Sequence, residues 1–283
     1  MLFIQDKEMN KSNELKIKQM KTKTLKELVE EVKEKKVRNI PTFNQEIDQF
    51  LNGGISLGEI TQIVGFPGSG KSQLCMQIAC NVQLPEEIGG LNSECIYYDS
   101  YSQFCISRVQ RMAECICASY PEYKLNVKEI LEKIHVYQPH DIVSLCSSLL
   151  SINNKLNKVK VIIIDSIPTF YKKAMCNDTI RLAALHRIIQ ILSIYSNKYY
   201  LSVVIVNHLT TKKINSNYTS IDYTQSAPFL TYFLRNGGVI FTSYIKNSIF
   251  LYQIESKYKA IIQTTTRLQN GNISFEITED GFR

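Results

Sequence analysis

Short apolar runs alternate along the chain with longer segments in which apolar residues recur at helical spacing. The runs predict strands at Glu59–Gly65, Ile96–Asp99, Ile134–Tyr137, Val159–Asp165 and Ser202–Asn207. The helical spacing predicts helices at Ser72–Gln83, Phe104–Ala118 and Asp178–Tyr195, and a further helix that Asp141 caps and that runs through Leu150. Strands and helices that alternate in this order predict an α/β fold with a mostly parallel sheet flanked by helices.

The C-terminal part has a different pattern, because strand-like runs follow one another without intervening helices. These runs are Val239–Tyr244, Ser248–Glu255, Ala260–Arg267 and Ile273–Ile277, with turn signals at Lys246-Asn247 and Gly271-Asn272. They predict antiparallel strands that extend the sheet at one edge.

The N-terminal part is rich in charge. Residues 7–38 contain neither Gly nor Pro, and one apolar stripe runs through them at Leu25, Leu28, Val29 and Val32. Pro41 ends this pattern, and a short helix from Phe43 to Leu51 follows. We therefore predict a basic arm at 1–39, helical or partly disordered, and a core domain at 40–283. The arm is either a solvated surface helix or a segment that binds DNA or a partner.

Composition narrows the class of protein. The 283 residues carry a formal net charge of +7, which is compatible with a nucleic-acid partner and also with a neutral core that bears a basic tail. The eight cysteines form no CxxC pair, which argues against a zinc site or a disulfide framework and indicates a reducing compartment. Met1–Met9 lacks the apolar core of a secretory signal, and no apolar run is long enough to cross a bilayer.

The strongest chemical signal is a glycine-rich segment between a predicted strand and a predicted helix. It reads Gly65-Phe66-Pro67-Gly68-Ser69-Gly70-Lys71-Ser72 and fits G-x-x-x-x-G-K-[ST] at every fixed position. The glycines let main-chain N–H groups surround phosphate oxygens, while Lys71 reaches the terminal phosphates and Ser72 ligates Mg²⁺. The segment therefore predicts a site for ATP and Mg²⁺.

A second signal is the apolar strand that ends at Asp165. The carboxyl ends of parallel strands meet at one edge of a sheet, so this carboxylate is expected beside the phosphate loop. There Asp165 can hold Mg²⁺ through water, which makes Ser72 and Asp165 the predicted metal site.

These segments resemble the RecA-type recombinases. Within that family the chain looks like the eukaryotic recombinase paralogues, and most of all like the "C" paralogue. The resemblance covers roughly residues 40–283 and rests on the Thr61–Gln77 segment, Val82–Pro85, Gly89-Gly90, Asp99, Phe104, Arg108, Ile164–Ser166, Asn207, Thr210–Lys212 and Gly281-Phe282. It implies a RecA-like P-loop ATPase core.

The resemblance also implies roles for single residues. Gln73 follows the loop serine as it does in recombinases. Arg108 stands where the family has an arginine near the adenine, although it is otherwise read as a helix-surface arginine. Asn207 occupies the position of a polar sensor of the γ-phosphate. His208 stands where recombinases usually carry Gln, so it is either part of that sensor or a structural histidine. Catalytic roles are thus implied for Lys71, Asp165, Asn207 and His208.

Two stretches resemble the DNA-facing loops of the family. The first lies near Tyr171-Lys172-Lys173, and the second runs from Thr211-Lys212-Lys213 to about Gln225. Lys172, Lys173, Lys212 and Lys213 would contact phosphates without reading sequence, and tyrosines could stack on bases. The alternative is that both stretches are exposed polar loops.

The chain departs from the family where hydrolysis is concerned. Recombinases usually place a Glu that orients the attacking water where this chain has Tyr101, and a phenol is a poor general base at neutral pH. A helical DNA-binding domain before the core is not seen, and no Phe-x-x-Ala polymerisation motif occurs.

The resemblance and the departures together favour one function over three others. The favoured function is that of an ATP-binding recombinase paralogue in DNA double-strand break repair by homologous recombination. Such a protein would lie in the nucleus, bind DNA and partner paralogues, and hydrolyse ATP slowly or not at all. The alternatives are an active DNA-dependent ATPase that performs strand exchange, a small-molecule kinase, and a nucleotide-free structural subunit. The intact phosphate loop argues against the last.

Overall fold

The fold is taken from a computed structural model, which describes residues 24–25, 38–102, 104–208, 243–254, 257–264 and 273–283. The described residues from 38 onwards belong to one compact unit, Arg38–Arg283. The predicted arm at 1–39 lies almost wholly outside the described residues, so the domain division stays a prediction. Lys212, Lys213 and the second predicted DNA-facing stretch also lie outside them.

Strands and helices alternate as predicted. The helices are α1 (Gln45–Phe50), α2 (Lys71–Asn81), α3 (Ile106–Ser119), α4 (Val127–Glu132), α5 (Ile142–Ser151), α6 (Ile167–Lys173) and α7 (Asp178–Tyr199). The strands are β1 (Asn39–Ile40), β2 (Ile55–Ser56), β3 (Ile60–Gly65), β4 (Glu94–Asp99), β5 (Ile134–Tyr137), β6 (Val159–Asp165), β7 (Ser202–His208), β8 (Ile245–Ile254), β9 (Lys257–Thr264), β10 (Ile273–Phe275), β11 (Ile277–Thr278) and β12 (Gly281–Phe282).

One sheet of eight strands organises the core, in the order β10-β9-β8-β3-β7-β6-β4-β5. The six strands from β8 to β5 are parallel, and β9 and β10 add antiparallel pairs at one edge. This arrangement confirms the predicted fold class: a mostly parallel sheet flanked by helices, with antiparallel C-terminal strands.

The sheet is buried on both faces. Along β6, Val161 and Ile163 pack towards α2 and α3, while Ile162 and Ile164 pack towards the opposite layer with α5 and α7. Successive side chains of a strand point to opposite faces, so the central positions of a strand covered on both sides, here Val161–Ile164, are apolar without interruption. Burial on both faces accounts for the unbroken apolar run that the sequence shows here.

The C-terminal strands differ from the prediction in detail. The predicted turn at Lys246-Asn247 is wrong, because both residues lie inside β8, where the pairing with β3 shifts between Ile60 and Thr61. Lys246 is the extra residue of that bulge, and Asn247 Nδ2 donates to Glu59 Oε2 at 3.0 Å. A polar dipeptide therefore marks a bulge and not the end of a strand.

Two further strand predictions need correction. The strand predicted at Val239–Tyr244 is wrong at its end, since Ser243 and Tyr244 are helical, and its earlier residues are not among those described. The strand predicted at Ile273–Ile277 is divided at Glu276, whose main chain exchanges two hydrogen bonds with Arg283. The division produces a small hairpin, β11–β12, which we call the C-terminal hairpin (Ile277–Phe282).

All eight cysteines lie in the described part of the chain and are free thiols. Cys75, Cys80 and Cys95 are buried in the core, where they pack as small apolar side chains.

Candidate functional site

The predicted phosphate loop connects β3 to α2 at the carboxyl edge of the sheet. Gly70 precedes α2 with φ +92°, a conformation that favours glycine, and a Cβ there would lie 2.6 Å from Ile277 Cδ1. At Gly65 a Cβ would lie 2.3 Å from the carbonyl oxygen of Leu251, so only glycine permits the close approach of β8. The glycine pattern therefore shapes the loop and also lets β8 and the C-terminal hairpin pack against it.

Lys71 is the first residue of α2 and is almost buried, with 6% of its surface exposed. Its Nζ donates to the carbonyl oxygen of Phe66 at 2.7 Å. Burial lowers the pKa of Lys71, and the negative charge of Asp165 partly opposes that effect. The ammonium group and the N–H groups at the start of α2 therefore place positive charge on the concave side of the loop.

Asp165 ends β6 and lies beside the loop, as predicted. Its Oδ2 accepts a hydrogen bond from Ser72 Oγ at 2.6 Å and a second from the Tyr97 phenol at 2.9 Å. Burial raises the pKa of Asp165, while the two donors and the charge of Lys71 pull it down. Ser72 and Asp165, the predicted metal pair, are thus in direct contact.

Tyr97 is a site residue that sequence reasoning missed. It lies on β4, two residues before the end of that strand, and its side chain shares a face of the sheet with Asp165. Burial, and the nearby charge of Asp165, raise the pKa of the Tyr97 phenol well above its ordinary value, so the phenol stays protonated and acts as the donor. The order of β4 and β6 in the sheet makes this contact, and a single sequence does not reveal that order.

Asn207 and His208 end β7, where His208 lies in register with Gly65. Asn207 Oδ1 accepts from the His208 N–H at 2.9 Å, and His208 Nε2 lies 2.8 Å from Ser166 Oγ. Burial, reinforced by the positive charges of Lys71 and Lys172, lowers the pKa of His208 to about 4. The imidazole is therefore neutral at pH 7, and it lies one strand away from the Asp165 end of β6.

The loop after β4 holds Tyr101, which stands at the position where the resemblance to recombinases implies a Glu. Its ring is 52% exposed and lies 5.6 Å from Lys173 Nζ. The neighbouring carboxylate, Asp99, accepts from the N–H groups of Tyr101 and Phe104 and from Gln138 Nε2, at 3.0–3.1 Å. Both carboxylate oxygens of Asp99 are thus engaged in holding the loop. Tyr101 itself provides no carboxylate at the position where a Glu is expected.

Gln73 and Arg108 are brought together. Arg108 Nε donates to Gln73 Oε1 at 2.8 Å, and its terminal nitrogens donate to the carbonyl oxygens of Thr278 and Glu279. Arg108 therefore joins α2 and α3 to the C-terminal hairpin, which is more than the surface role that the sequence left open. Its contact with adenine stays a prediction.

The first predicted DNA-facing stretch is not a loop. Residues 167–173 form α6, with Lys172 and Lys173 in its last turn. Lys173 Nζ donates to the carbonyl oxygen of Ser100, and the Tyr171 ring lies 5.5 Å from the Arg181 guanidinium. Proline at the second helical position and a buried Phe170 favour a helix here, whereas the resemblance to the family's DNA-facing loops predicts a loop. The DNA contacts of Lys172 and Lys173 stay predictions.

The donor set at the loop fits a phosphate chain and Mg²⁺. It combines main-chain N–H groups, one ammonium, one hydroxyl and one carboxylate, and Mg²⁺ takes few protein ligands beside phosphate oxygens and water. Among the described residues, no cluster of three or more His, Cys, Asp or Glu side chains is arranged so that it could hold a metal ion. A site that relies on Ser72 and Asp165 needs no such cluster.

Comparison with known proteins assigns the family. The family model described as Rad51 matches residues 33–243, which is well over half of the chain and contains the loop, Asp165 and His208. The chain belongs to the Rad51 family. The resemblance to recombinases that the motifs indicated is thereby confirmed.

Individual Rad51-family relatives agree with this assignment. The chain is similar to DNA repair protein RAD51 homolog 3 of Dictyostelium discoideum, with 34% identity over 62% of this chain and 49% of the relative. It is similar to the protein of the same name from Cricetulus griseus, with 28% identity over 86% of this chain and 68% of the relative. It also resembles DNA repair and recombination protein RadA of Metallosphaera sedula, with 32% identity over 61% of this chain and 53% of the relative.

The chain thus spans about half the length of two of these relatives and about two thirds of the third. Within the described ranges, no helix of this Rad51-family chain is both long enough and apolar enough to span a bilayer.

Proposed function

We propose that this Rad51-family chain binds ATP with Mg²⁺ and acts as a recombinase paralogue in homologous-recombination repair of DNA double-strand breaks. The observation that carries the proposal is the convergence of Lys71, Ser72 and Asp165 at one loop, whose glycines permit its main chain to turn around phosphates. The names of these relatives, which concern DNA repair and recombination, support the biological role.

Each residue has a role that its position supports. The N–H groups of the loop and of the first turn of α2 would hold the phosphates, and Lys71 would exchange its contact with the Phe66 carbonyl for the terminal phosphates. Ser72 Oγ would ligate Mg²⁺, and Asp165 would accept from its water shell. Bound Mg²⁺ supplies charge neutralisation of the phosphates. Asn207 and neutral His208 would report on the γ-phosphate.

Slow or absent hydrolysis is the second part of the proposal. General-base catalysis needs a carboxylate or a comparable base within hydrogen-bond reach of the attacking water. Tyr101 occupies the family position of that carboxylate, and Asp99 is 4% exposed and already accepts from three donors. Nucleotide would then act as a ligand that biases conformation and assembly, not as a fuel.

Membership of the Rad51 family supports DNA and protein partners. We infer that the chain binds DNA without reading sequence, single-stranded or junction-like, through lysines such as Lys172 and Lys173, and that it works in the nucleus. Other recombinase paralogues would be its partners in a hetero-complex. The net charge of +7 is consistent with a polyanionic partner.

Calorimetry and single-turnover kinetics test the proposal. The wild-type chain is expected to take up ATP only weakly without Mg²⁺ and tightly with it, and Lys71→Ala is expected to lose that uptake. Cleavage of bound ATP should be slow with or without single-stranded DNA, and Tyr101→Glu should accelerate it. Robust cleavage by wild type that survives Tyr101→Phe would favour the alternative, an active DNA-dependent ATPase that performs strand exchange.

A further inference from the structure

The phenol of Tyr97 makes a polar contact that ordinary burial of an aromatic ring does not require. The side chain is 2% exposed, and its hydroxyl donates to Asp165 Oδ2 at 2.9 Å. Tyrosine is not obligatory in a buried apolar layer, where phenylalanine packs equally well and leaves no polar group to satisfy. The hydroxyl therefore needs an explanation, and its partner is the carboxylate of the proposed metal site.

The strands hold the two groups in a fixed relation. Tyr97 lies opposite Ile163 and Asp99 lies opposite Asp165, so the phenol reaches diagonally across one pair of residues on the same face of the sheet. The ring is held edge-on by Phe104, with centroids 4.8 Å apart and an interplanar angle of 66°. A donor mounted on a central strand and packed in this way has little freedom to turn away from Asp165.

The two donors to Asp165 share one acceptor atom. Ser72 Oγ and the Tyr97 hydroxyl both donate to Oδ2, whereas Oδ1 receives no side-chain or main-chain donor from the described residues. Two donors on one oxygen restrict rotation of the carboxylate about its last bond. They also compensate part of the free energy that burial of this charge costs.

We propose that Tyr97 is a positioning residue of the metal site, which fixes the Asp165 carboxylate through Oδ2 and leaves Oδ1 to accept from the water shell of nucleotide-bound Mg²⁺. This inference rests on the proposed nucleotide-binding function and adds a residue to it. Without the phenol, Ser72 alone would orient the carboxylate. Ser72 would also be a ligand of the metal, so a single side chain would then perform both tasks.

The neighbouring residue provides a matched control. Tyr98 is also buried in β4, its phenol accepts from Ser148 Oγ at 3.3 Å, and it faces the opposite layer, away from Asp165. Tyr97→Phe and Tyr98→Phe each remove one buried hydroxyl from the same strand. A purely structural role predicts similar effects for both, whereas a positioning role predicts an effect of Tyr97→Phe that depends on Mg²⁺.

The experiment is calorimetric titration of the whole chain with ADP and with ATP, in Mg²⁺ and in EDTA, accompanied by thermal unfolding. Tyr97→Phe is expected to weaken binding about tenfold in Mg²⁺, as loss of a hydrogen bond to a charged group does, and to leave binding in EDTA unchanged. Tyr98→Phe is expected to change neither. Equal behaviour of the two variants in Mg²⁺ would overturn the inference.

A double-mutant cycle keeps the test decisive if Tyr97→Phe lowers stability. In the Asp165→Asn background the phenol has no carboxylate to position, so adding Tyr97→Phe should change affinity in Mg²⁺ less than twofold. A full tenfold loss in that background would show that Tyr97 acts by another route and overturn the inference. A wild-type chain that takes up no nucleotide in Mg²⁺ would overturn both the inference and the proposed function, whereas normal uptake with an unaffected Tyr97→Phe variant overturns the inference alone.

Discussion

His208 shows how the neighbourhood of the phosphate loop controls a single side chain. Its imidazole is about half-buried, and it faces the positive charges of Lys71 and Lys172. A proton on this ring would be desolvated and repelled, so the folded chain keeps the ring neutral. The imidazole also makes a hydrogen bond with Ser166, the residue that follows Asp165, because His208 Nε2 lies 2.8 Å from Ser166 Oγ.

The neutral His208 predicts a pH dependence of stability. Its pKa is lowered from 6.5 to about 4 in the folded chain, so between these values the unfolded chain binds the extra proton and the folded chain does not. The free energy of unfolding should therefore fall as pH drops from 6.5 towards 4, with His208 contributing about 1–2 kcal/mol after allowance for its partial exposure. His208→Gln should reduce that slope in urea unfolding followed across this window. Equal slopes for the two proteins would contradict the prediction.

At the scale of elements, the C-terminal hairpin is attached to α2 and α3 by Arg108. This guanidinium donates to Gln73 Oε1 and to the carbonyl oxygens of Thr278 and Glu279. Phe282 is fully buried and stacks on Phe275 with centroids 4.4 Å apart, which fixes the other side of the hairpin. The side chain of Ile277 in this hairpin lies beside Gly70 of the phosphate loop, so the attachment of the hairpin matters for the site.

Arg108→Lys should lower the free energy of unfolding by about 1–2 kcal/mol, because a lysine cannot supply the forked set of donors that three separate acceptors require. Arg111→Lys is the matched control. Arg111 also lies on α3 and reaches the hairpin, but through a half-exposed ion pair with Asp280 at 3.4 Å, so less than about 0.5 kcal/mol is expected. Denaturant unfolding of both variants measures the difference, and equal losses would refute the assigned role of Arg108.

Elements whose signal is local could be predicted from sequence. Asp141 caps α5 through the Ser144 N–H at 2.8 Å, as the pattern indicated, and β5 and β6 begin and end where the apolar runs do. Short helices with mixed signals could not: the resemblance to the family predicts a DNA-facing loop near Tyr171-Lys172-Lys173, where the structure has α6. The bulge at Lys246 was missed for a related reason, since its unpaired residue depends on the partner strand β3.

Some residues of the candidate site could likewise be predicted from the sequence, and others could not. The residues at Gly65–Ser72 and Asp165 could be predicted from the sequence. A loop that surrounds phosphate needs glycines at fixed spacing, and an apolar strand that ends in Asp after such a loop is recognisable from its order along the chain. Tyr97 and the attachment of Arg108 to the hairpin are contacts between distant segments. These contacts depend on the order of the strands in the sheet and on where the C-terminal residues pack. Neither can be predicted from the spacing of residues in the sequence.

At the scale of the whole molecule, basic residues near the carboxyl edge of the sheet set the expected response to DNA. Lys173 lies at the end of α6, and its Nζ already donates to the Ser100 carbonyl oxygen. If it also contacts a phosphate, Lys173→Gln should weaken DNA binding and reduce the slope of log affinity against log salt by roughly 0.7 for a single strand. Lys198→Gln is the control, because Lys198 lies in the last turn of α7, which leads into the amino end of β7, at the opposite edge of the sheet from the site. Fluorescence anisotropy across a salt series measures both slopes, and identical slopes for the two variants would remove Lys173 from the DNA contacts.

Nucleotide should stabilise the entire core, because the proposed site joins segments that are far apart in sequence. The loop after β3, Asp165 on β6, Asn207 on β7 and the hairpin at Gly70 all meet there. A ligand that binds only when these segments are assembled stabilises the fold by mass action, by about 2.7 kcal/mol at a hundredfold excess over its dissociation constant. For a domain of this size that free energy corresponds to a rise in Tm of roughly 5–10 °C.

If the site is as proposed, the rise in Tm must require both Mg²⁺ and the ammonium group of Lys71. Wild type should show the full rise with ATP and Mg²⁺, a smaller one with ATP and EDTA, and none with Mg²⁺ alone, while Lys71→Ala should show no rise with any of them. Thermal unfolding followed by circular dichroism provides the measurement. A rise in Lys71→Ala equal to that of wild type would mean that nucleotide binds elsewhere on the chain, since the ammonium group of Lys71, a buried residue at the start of α2, would then contribute nothing to phosphate binding.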